Sequence, residues 1–267
     1  MFVGARAEIC VGEQVSVHKV EKSKLQDIDW QSKSKRNFSI TFVNRSPFLD
    51  SSSLNATMSD SSQTHIKSVI QLLKAGEIPS DTDFDACIPT AVRRHTSTHF
   101  TPVEVSVAAA QFLCGGDWKN PKILDVGSGM GKFCLVAGAM FDHAHFTGVE
   151  QRKLLCDVAD DLLEICELNN VGFLCGNIMN VRFADFQGVY LYNPFYEHLQ
   201  PFSAMDESID LDADYYEIYC GYVRKQLQGM PKGTRVATYF GGGEEIPLNY
   251  DLVKQAFNND LKCWQRR

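Results

Sequence analysis

Asp125 stands two residues ahead of Gly127, Gly129 and Gly131, three glycines at alternate positions. The run Lys122 to Val126 before them and Lys132-Phe133 after them read as a buried strand, a tight turn and a helix start. In such a turn main-chain atoms can meet a ligand where any Cβ would intrude, which makes it a cradle for a nucleotide-type cofactor. The spacing decides which one. A phosphate-gripping loop needs G-x-x-x-x-G-K-[ST], but Val126 stands five residues before Gly131 and Phe133 follows the lysine, so that reading fails twice. A dinucleotide fingerprint, G-x-G-x-x-G, fails once. The third glycine arrives one residue early and Lys132 takes its slot, which makes a nicotinamide-dependent oxidoreductase a distant reading.

A second acid follows. The run Ala144 to Glu150 is apolar and ends in a carboxylate about twenty residues after the glycines, the offset of a ribose-binding acid. Glu150 is therefore expected to accept hydrogen bonds from a ribose diol; the plainer role is to cap a helix beginning at Gln151, where an acid suits the dipole. A third strand, Phe173 to Ile178, offers Asn177 at its carboxyl end, where an asparagine also serves simply as a turn former. A fourth, Val189 to Tyr192, runs into Asn193-Pro194-Phe195-Tyr196. In an open α/β sheet ligands bind beyond the carboxyl ends of the strands, which is where this tetrapeptide falls.

The pattern h-h-D-h-G-x-G-x-G resembles motif I of the class I S-adenosylmethionine (AdoMet) methyltransferases, and Asn193-Pro194-Phe195-Tyr196 resembles the (Asp/Asn)-Pro-Pro-(Tyr/Phe) loop of amino-group N-methyltransferases. More weakly, Asn-x-Phe is similar to the same loop of the non-SET histone-lysine methyltransferases. The resemblance spans about His99 to Phe240. It implies AdoMet as cofactor, with Asp125 near its positive charge, Gly127, Gly129 and Gly131 along its backbone, Glu150 on ribose and Asn177 on the adenine edge. It also implies Phe100 and Thr101 as contacts of a segment closing over the methionine. Asn193 and the Pro194 carbonyl would orient the acceptor nitrogen, with Tyr192 or Tyr196 walling the pocket. Phe195 in place of the second proline departs from the pattern and weakens the case for planar base or amide acceptors. The implied activity is methyl transfer to a nitrogen of a protein or small molecule. The alternatives are O-methylation of a small molecule, which usually wants a metal or a positioned base, and a non-catalytic AdoMet-binding regulatory or interaction module. His95 and His99 are candidate bases, although a loop histidine is commonly only a surface residue.

Composition bounds the partners. Residues 1–57 carry eight of the 26 Lys and Arg and six of the 33 Asp and Glu, so the remainder holds 18 basic and 27 acidic residues, a net of −9. Phosphate contacts supply most non-specific nucleic-acid affinity, so an acidic catalytic region disfavours nucleic acid and fits a protein or small-molecule acceptor. No stretch approaches the ~20 apolar residues of a membrane helix, and the first residues lack a secretory order; a cytoplasmic protein with no membrane contact is expected. The nine cysteines show no C-x-x-C pair or zinc spacing, so they read as reduced thiols and no metal site is indicated.

The elements that must position these residues follow from periodicity. Strands alternating with helices predict a Rossmann-like α/β fold, a mostly parallel sheet of seven (or six) strands with helices on both faces. Residues 1–57 read as a poorly structured extension, with Phe38 to Val43 as a strand of a small ribbon and Met58 as a plausible fresh start. Residues 58–120 form a helical lid region and 121–267 the AdoMet-binding core. In the lid, Ile66, Val69, Ile70 and Leu73 share a helix face that Gly76 stops. Thr101 is expected to cap a helix with Pro102 first and Glu104 third, over Val103 to Cys114, burying Val103, Val107, Ala110 and Phe112 or Leu113. Further helices are expected over Gln151 to Leu168 and Tyr215 to Leu227, a fifth strand over Thr234 to Phe240, a flexible Gly241-Gly242-Gly243 link, and a tail strand, Leu261 to Gln265, closing the sheet edge.

Overall fold

The computed structural model describes residues 6–11, 14–19, 58–241 and 243–267, which fall in two units divided after Asn55. In the first, β1 (Arg6–Val11) pairs antiparallel with β2 (Gln14–Lys19), a ribbon that the sequence reading did not place. The ribbon strand expected at Phe38 to Val43 lies outside the described residues.

The second unit begins with α1 (Asp60–Lys74), where the Ser59 hydroxyl accepts from the N–H of Ser62 and Ile66, Val69, Ile70 and Leu73 are all buried. Short helices α2 (Asp81–Asp85), α3 (Thr90–Arg93) and α4 (Thr96–His99) lead to α5 (Val103–Cys114). The cap of α5 differs from expectation. Pro102 is the N-cap residue and has no side chain to accept a hydrogen bond; the free Val103 N–H donates instead to Asp81 Oδ1 at 2.9 Å, across from α2. The Thr101 hydroxyl is withdrawn from capping by a 2.9 Å hydrogen bond with the Tyr190 hydroxyl. The buried face of α5 is also shifted: Val105 and Ala109 are buried with Val103, Ala110 and Leu113, while Val107 is only partly so.

The core then alternates β3 (Lys122–Val126), α6 (Lys132–Met140), β4 (His145–Glu150), α7 (Lys153–Cys166), β5 (Val171–Cys175), β6 (Gly188–Tyr192), α8 (Ala213–Gly229), β7 (Arg235–Tyr239), β8 (Tyr250–Ala256) and β9 (Leu261–Arg266). The sheet order is β5-β4-β3-β6-β7-β9-β8, parallel through β7 and antiparallel for β9 and β8. This is the expected Rossmann-like α/β fold. The tail strand, however, does not close the edge. β9 inserts between β7 and β8, and the outermost strand is β8, whose residues are mostly exposed and which carries no alternating signal in the sequence.

Side-chain alternation feeds two cores. Ile123, Phe146 and Tyr190 face α1, α5, α6 and α7; Leu124, Val126, Val189 and Leu191 face α8. Eight described cysteines are free thiols, all buried except Cys175. Among the described residues no helix is long and apolar enough to cross a membrane.

Candidate active site

The chain steps from β3 outward to β4 and β5, then returns to place β6 on the other side of β3. Such a reversal leaves a crevice beyond the carboxyl ends of the strands. A cavity of about 690 Å³ opens there, within the roughly 300–1,000 Å³ of small-molecule sites.

The glycine turn forms one wall. Gly127, Gly129 and Gly131 all have positive φ (+72°, +56° and +85°), which L side chains rarely adopt. Each also makes room for the protein itself: a Cβ on Gly127 would stand 2.8 Å from Pro194 Cβ, and one on Gly129 2.6 Å from the Phe100 ring. Gly127, Gly129, Phe100 and Pro194 therefore meet at the cavity, and all four line it. Gly131 does not line it. It faces Phe173, and Lys132 after it is buried in ion pairs with Asp81 and Asp85, both at 2.7 Å.

Glu150 closes the wall at the end of β4. Its Oε1 accepts from the N–H groups of Gln151 and Arg152, both at 2.8 Å, and its Oε2 from Gly129 N–H at 3.0 Å. A carboxylate has about four acceptor positions, so one remains, on Oε2, for a ligand hydroxyl. The same side chain lines the cavity and ties down the strand-to-helix turn, although the helix begins at Lys153 and not at Gln151. Burial raises its pKa, against the pull of those N–H groups and of Arg152.

Asp125 and Asn177 are placed elsewhere. Asp125 is buried with Ile123 on the α6 side of β3, accepting only a weak 3.5 Å hydrogen bond from the Cys134 thiol; desolvation pushes its carboxyl up to about 8, and it does not line the cavity. Asn177 spends both ends of its amide on the protein, donating to the Tyr219 hydroxyl at 2.6 Å and accepting from Met179 N–H at 2.9 Å. Its neighbours Gly176 and Ile178 line the cavity in its place. Thr101, paired with Tyr190, is likewise behind the wall while Thr98, His99 and Phe100 form it.

The far wall is the loop after β6. Asn193 adopts φ +39°, and no hydrogen bond from the described residues engages its side chain. Phe195 turns inward and stacks on Tyr219, 5.1 Å between centroids and 17° apart, which anchors the loop and explains an aromatic where a second proline was expected. Tyr192 donates to the Thr98 carbonyl at 3.2 Å, tying the segment before α5 to β6, and its hydroxyl is pushed up to about 12 by burial. Tyr192, Asn193, Pro194 and Tyr196 all line the cavity.

Sequence reading named His99 but missed the polar array it belongs to. Arg152 donates to Glu197 Oε2 at 2.6 Å and to Asp206 Oδ1 at 3.0 Å, Glu197 Oε1 accepts from Met205 N–H at 2.9 Å, and His99 Nδ1 lies 3.6 Å from that oxygen. These residues are spread from position 99 to 206 without any motif spacing, so only the fold assembles them.

No family model matches the chain, and no curated protein matches it. Many solved structures are similar. TrmN from Thermus thermophilus is 14% identical, with 62% of this chain and 49% of that one covered and a TM-score of 0.46. An RNA methyltransferase from Salinibacter ruber, solved with S-adenosyl-L-homocysteine, is 16% identical over 61% of this chain and 88% of its own, with a TM-score of 0.39. A geranyl diphosphate C-methyltransferase from Streptomyces coelicolor A3(2) is 14% identical, covering 50% and 43%, with a TM-score of 0.37. The chain spans about half the length of the TrmN structure. Likeness at this level says nothing of what the chain binds, and its fold is read from its own strand order.

Proposed function

We propose that the chain is an AdoMet-dependent methyltransferase that transfers the methyl group to a nitrogen of a protein or small-molecule acceptor. The observation that carries this reading is the meeting of the Gly127–Gly129 turn, Glu150 and the Asn193–Tyr196 loop around one cavity at the sheet's reversal point. The residues present fit the cofactor: Glu150 Oε2 keeps one acceptor position for a ribose hydroxyl, Gly127 and Gly129 expose main chain, and Leu155 and Ile178 give apolar walls for a base. Bound AdoMet supplies a methyl on a sulfonium, electrophilic without help from a metal.

The chain's own task is then to place a nucleophile in line. The Asn193 side-chain oxygen and the Pro194 carbonyl accept N–H groups of the acceptor, Tyr192, Tyr196 and Phe240 wall its apolar part, and the Phe195–Tyr219 stack holds the loop still. Among the described residues lining the cavity, Arg152 is the only Lys or Arg, and Glu197 and Asp206 already engage it. A phosphate-rich acceptor would find no free cation, which favours an amine over nucleic acid.

The test incubates wild type and Asn193→Ala with radiolabelled AdoMet and a lysate fractionated into protein, nucleic acid and small molecules. Label in the protein or small-molecule fraction with wild type, at least tenfold less with the variant, and AdoMet affinity within threefold in both are the expected outcomes. Equal labelling would remove Asn193 from the reaction. No labelling by AdoMet-binding wild type would favour a regulatory module.

A further inference from the structure

Three histidines stand at or beside the cavity, and their hydrogen bonds separate them. His95 Nε2 accepts from Arg94 Nε at 2.8 Å, so its lone pair is taken. His198 Nδ1 accepts from Asp212 N–H at 3.3 Å, which leaves the neutral ring with its proton on Nε2, a donor and not an acceptor. His99 is the opposite case. Its Nδ1 lies 3.6 Å from Glu197 Oε1, too far for a hydrogen bond but near enough for the carboxylate's charge to favour a proton on that nitrogen, and no described residue hydrogen-bonds Nε2, on a ring that lines the cavity.

We infer that His99 Nε2 is the proton acceptor for the incoming amine, and that Glu197, fixed by Arg152 and the Met205 N–H, is the residue that holds its tautomer. An amine of ordinary basicity arrives as an ammonium, whose nitrogen has no lone pair. The N–H bond breaks, its electron pair stays on the acceptor nitrogen, and the proton forms a bond to His99 Nε2. The resulting imidazolium is met by the Glu197 carboxylate, whose side chain is 15% exposed. Arg152 limits the strength of this base by offsetting Glu197, and Asp206 in turn offsets Arg152. The groups facing His99 are thus Glu197, Arg152 and the His95 ring, 5.7 Å away and edge-on. Burial lowers the His99 pKa further, so that the ring is neutral and ready at neutral pH.

The inference rests on the methyltransferase reading, and two measurements keep their failures apart. Histidine-selective 15N spectroscopy on the full chain saturated with S-adenosyl-L-homocysteine should show His99 protonated at Nδ1 and bare at Nε2, titrating below 6.5. Glu197→Gln removes the one group that raises this value and should shift the titration lower while loosening the tautomer. In the labelling assay, His99→Ala and His99→Gln should lose about 100-fold or more in rate, the scale of general-base catalysis, with S-adenosyl-L-homocysteine affinity within threefold. The acid limb of the wild-type pH–rate profile should coincide with the His99 titration. A proton on Nε2, a titration indifferent to Glu197→Gln, or undiminished transfer by both His99 variants would overturn the inference and leave the methyltransferase reading standing. Failure of wild type to bind S-adenosyl-L-homocysteine would overturn that reading itself.

Discussion

Replacing Asp125 with Asn changes the pH dependence of stability in a way fixed by where the structure puts this side chain. Asp125 is buried, has no ion-pair partner among the described residues, and is held by desolvation at about 8 against 3.8 for a free side chain. Its folded value is raised, so its contribution is fully present below the unfolded value and is lost as pH rises through the folded one. Between pH 5 and 7 the unfolded chain ionises at this position while the folded chain stays neutral. Wild type then loses about 1.4 kcal/mol per pH unit relative to a residue that cannot ionise, about 3 kcal/mol in all. Asn has nearly the same volume, and its amide adds a cost that does not depend on pH. Urea denaturation of wild type and Asp125→Asn at pH 5, 6 and 7 should therefore show a stability difference that moves steadily toward the variant as pH rises. A difference constant to within a few tenths of a kcal/mol would mean that Asp125 is ionised in the folded chain, and the reasoning would fail. The same placement predicts that Asp125→Asn leaves AdoMet affinity within threefold, since the side chain is behind the cavity wall.

Two further substitutions probe how the turn is held. Gly131→Ala puts a Cβ 2.2 Å from the Phe173 ring at φ +85°, and should cost about 2–3 kcal/mol in urea denaturation, with Phe173→Leu in the same chain recovering part of the loss. Lys132→Met strands Asp81 and Asp85; a buried pair broken on one side costs about 3–5 kcal/mol, and because Asp81 is half-exposed a loss of about 2–3 kcal/mol is expected by the same measurement. An unchanged midpoint for either variant would contradict the packing described here.

The residues legible from the sequence are those whose role is local. Gly127, Gly129 and Glu150 reach the cavity because a turn and a strand end are set by a few consecutive residues, and the α1 face was readable because its period is its own. What escaped depends on distance in the chain. The cap of α5 comes from Asp81 and not from Thr101, because Pro102 takes the N-cap place and Tyr190 engages the threonine. Asn177 is turned away from the cavity by Tyr219, 42 residues on. The β9 strand pairs inside β8 because the Phe257 to Asn259 turn, all at positive φ, folds the chain's end back between β7 and β8. Arg152, Glu197 and Asp206 have no spacing to betray them, since they converge only when the sheet sets the ends of β4 and β6 on either side of β3.

The central claim is that this cavity holds AdoMet, and titration calorimetry tests it most directly. Wild type should bind AdoMet without competition from NAD, and Glu150→Ala, with its fold verified by circular dichroism, should bind about 10- to 150-fold more weakly, the loss of one hydrogen bond to a charged group. Binding of NAD in place of AdoMet, or AdoMet affinity untouched by Glu150→Ala, would contradict the account.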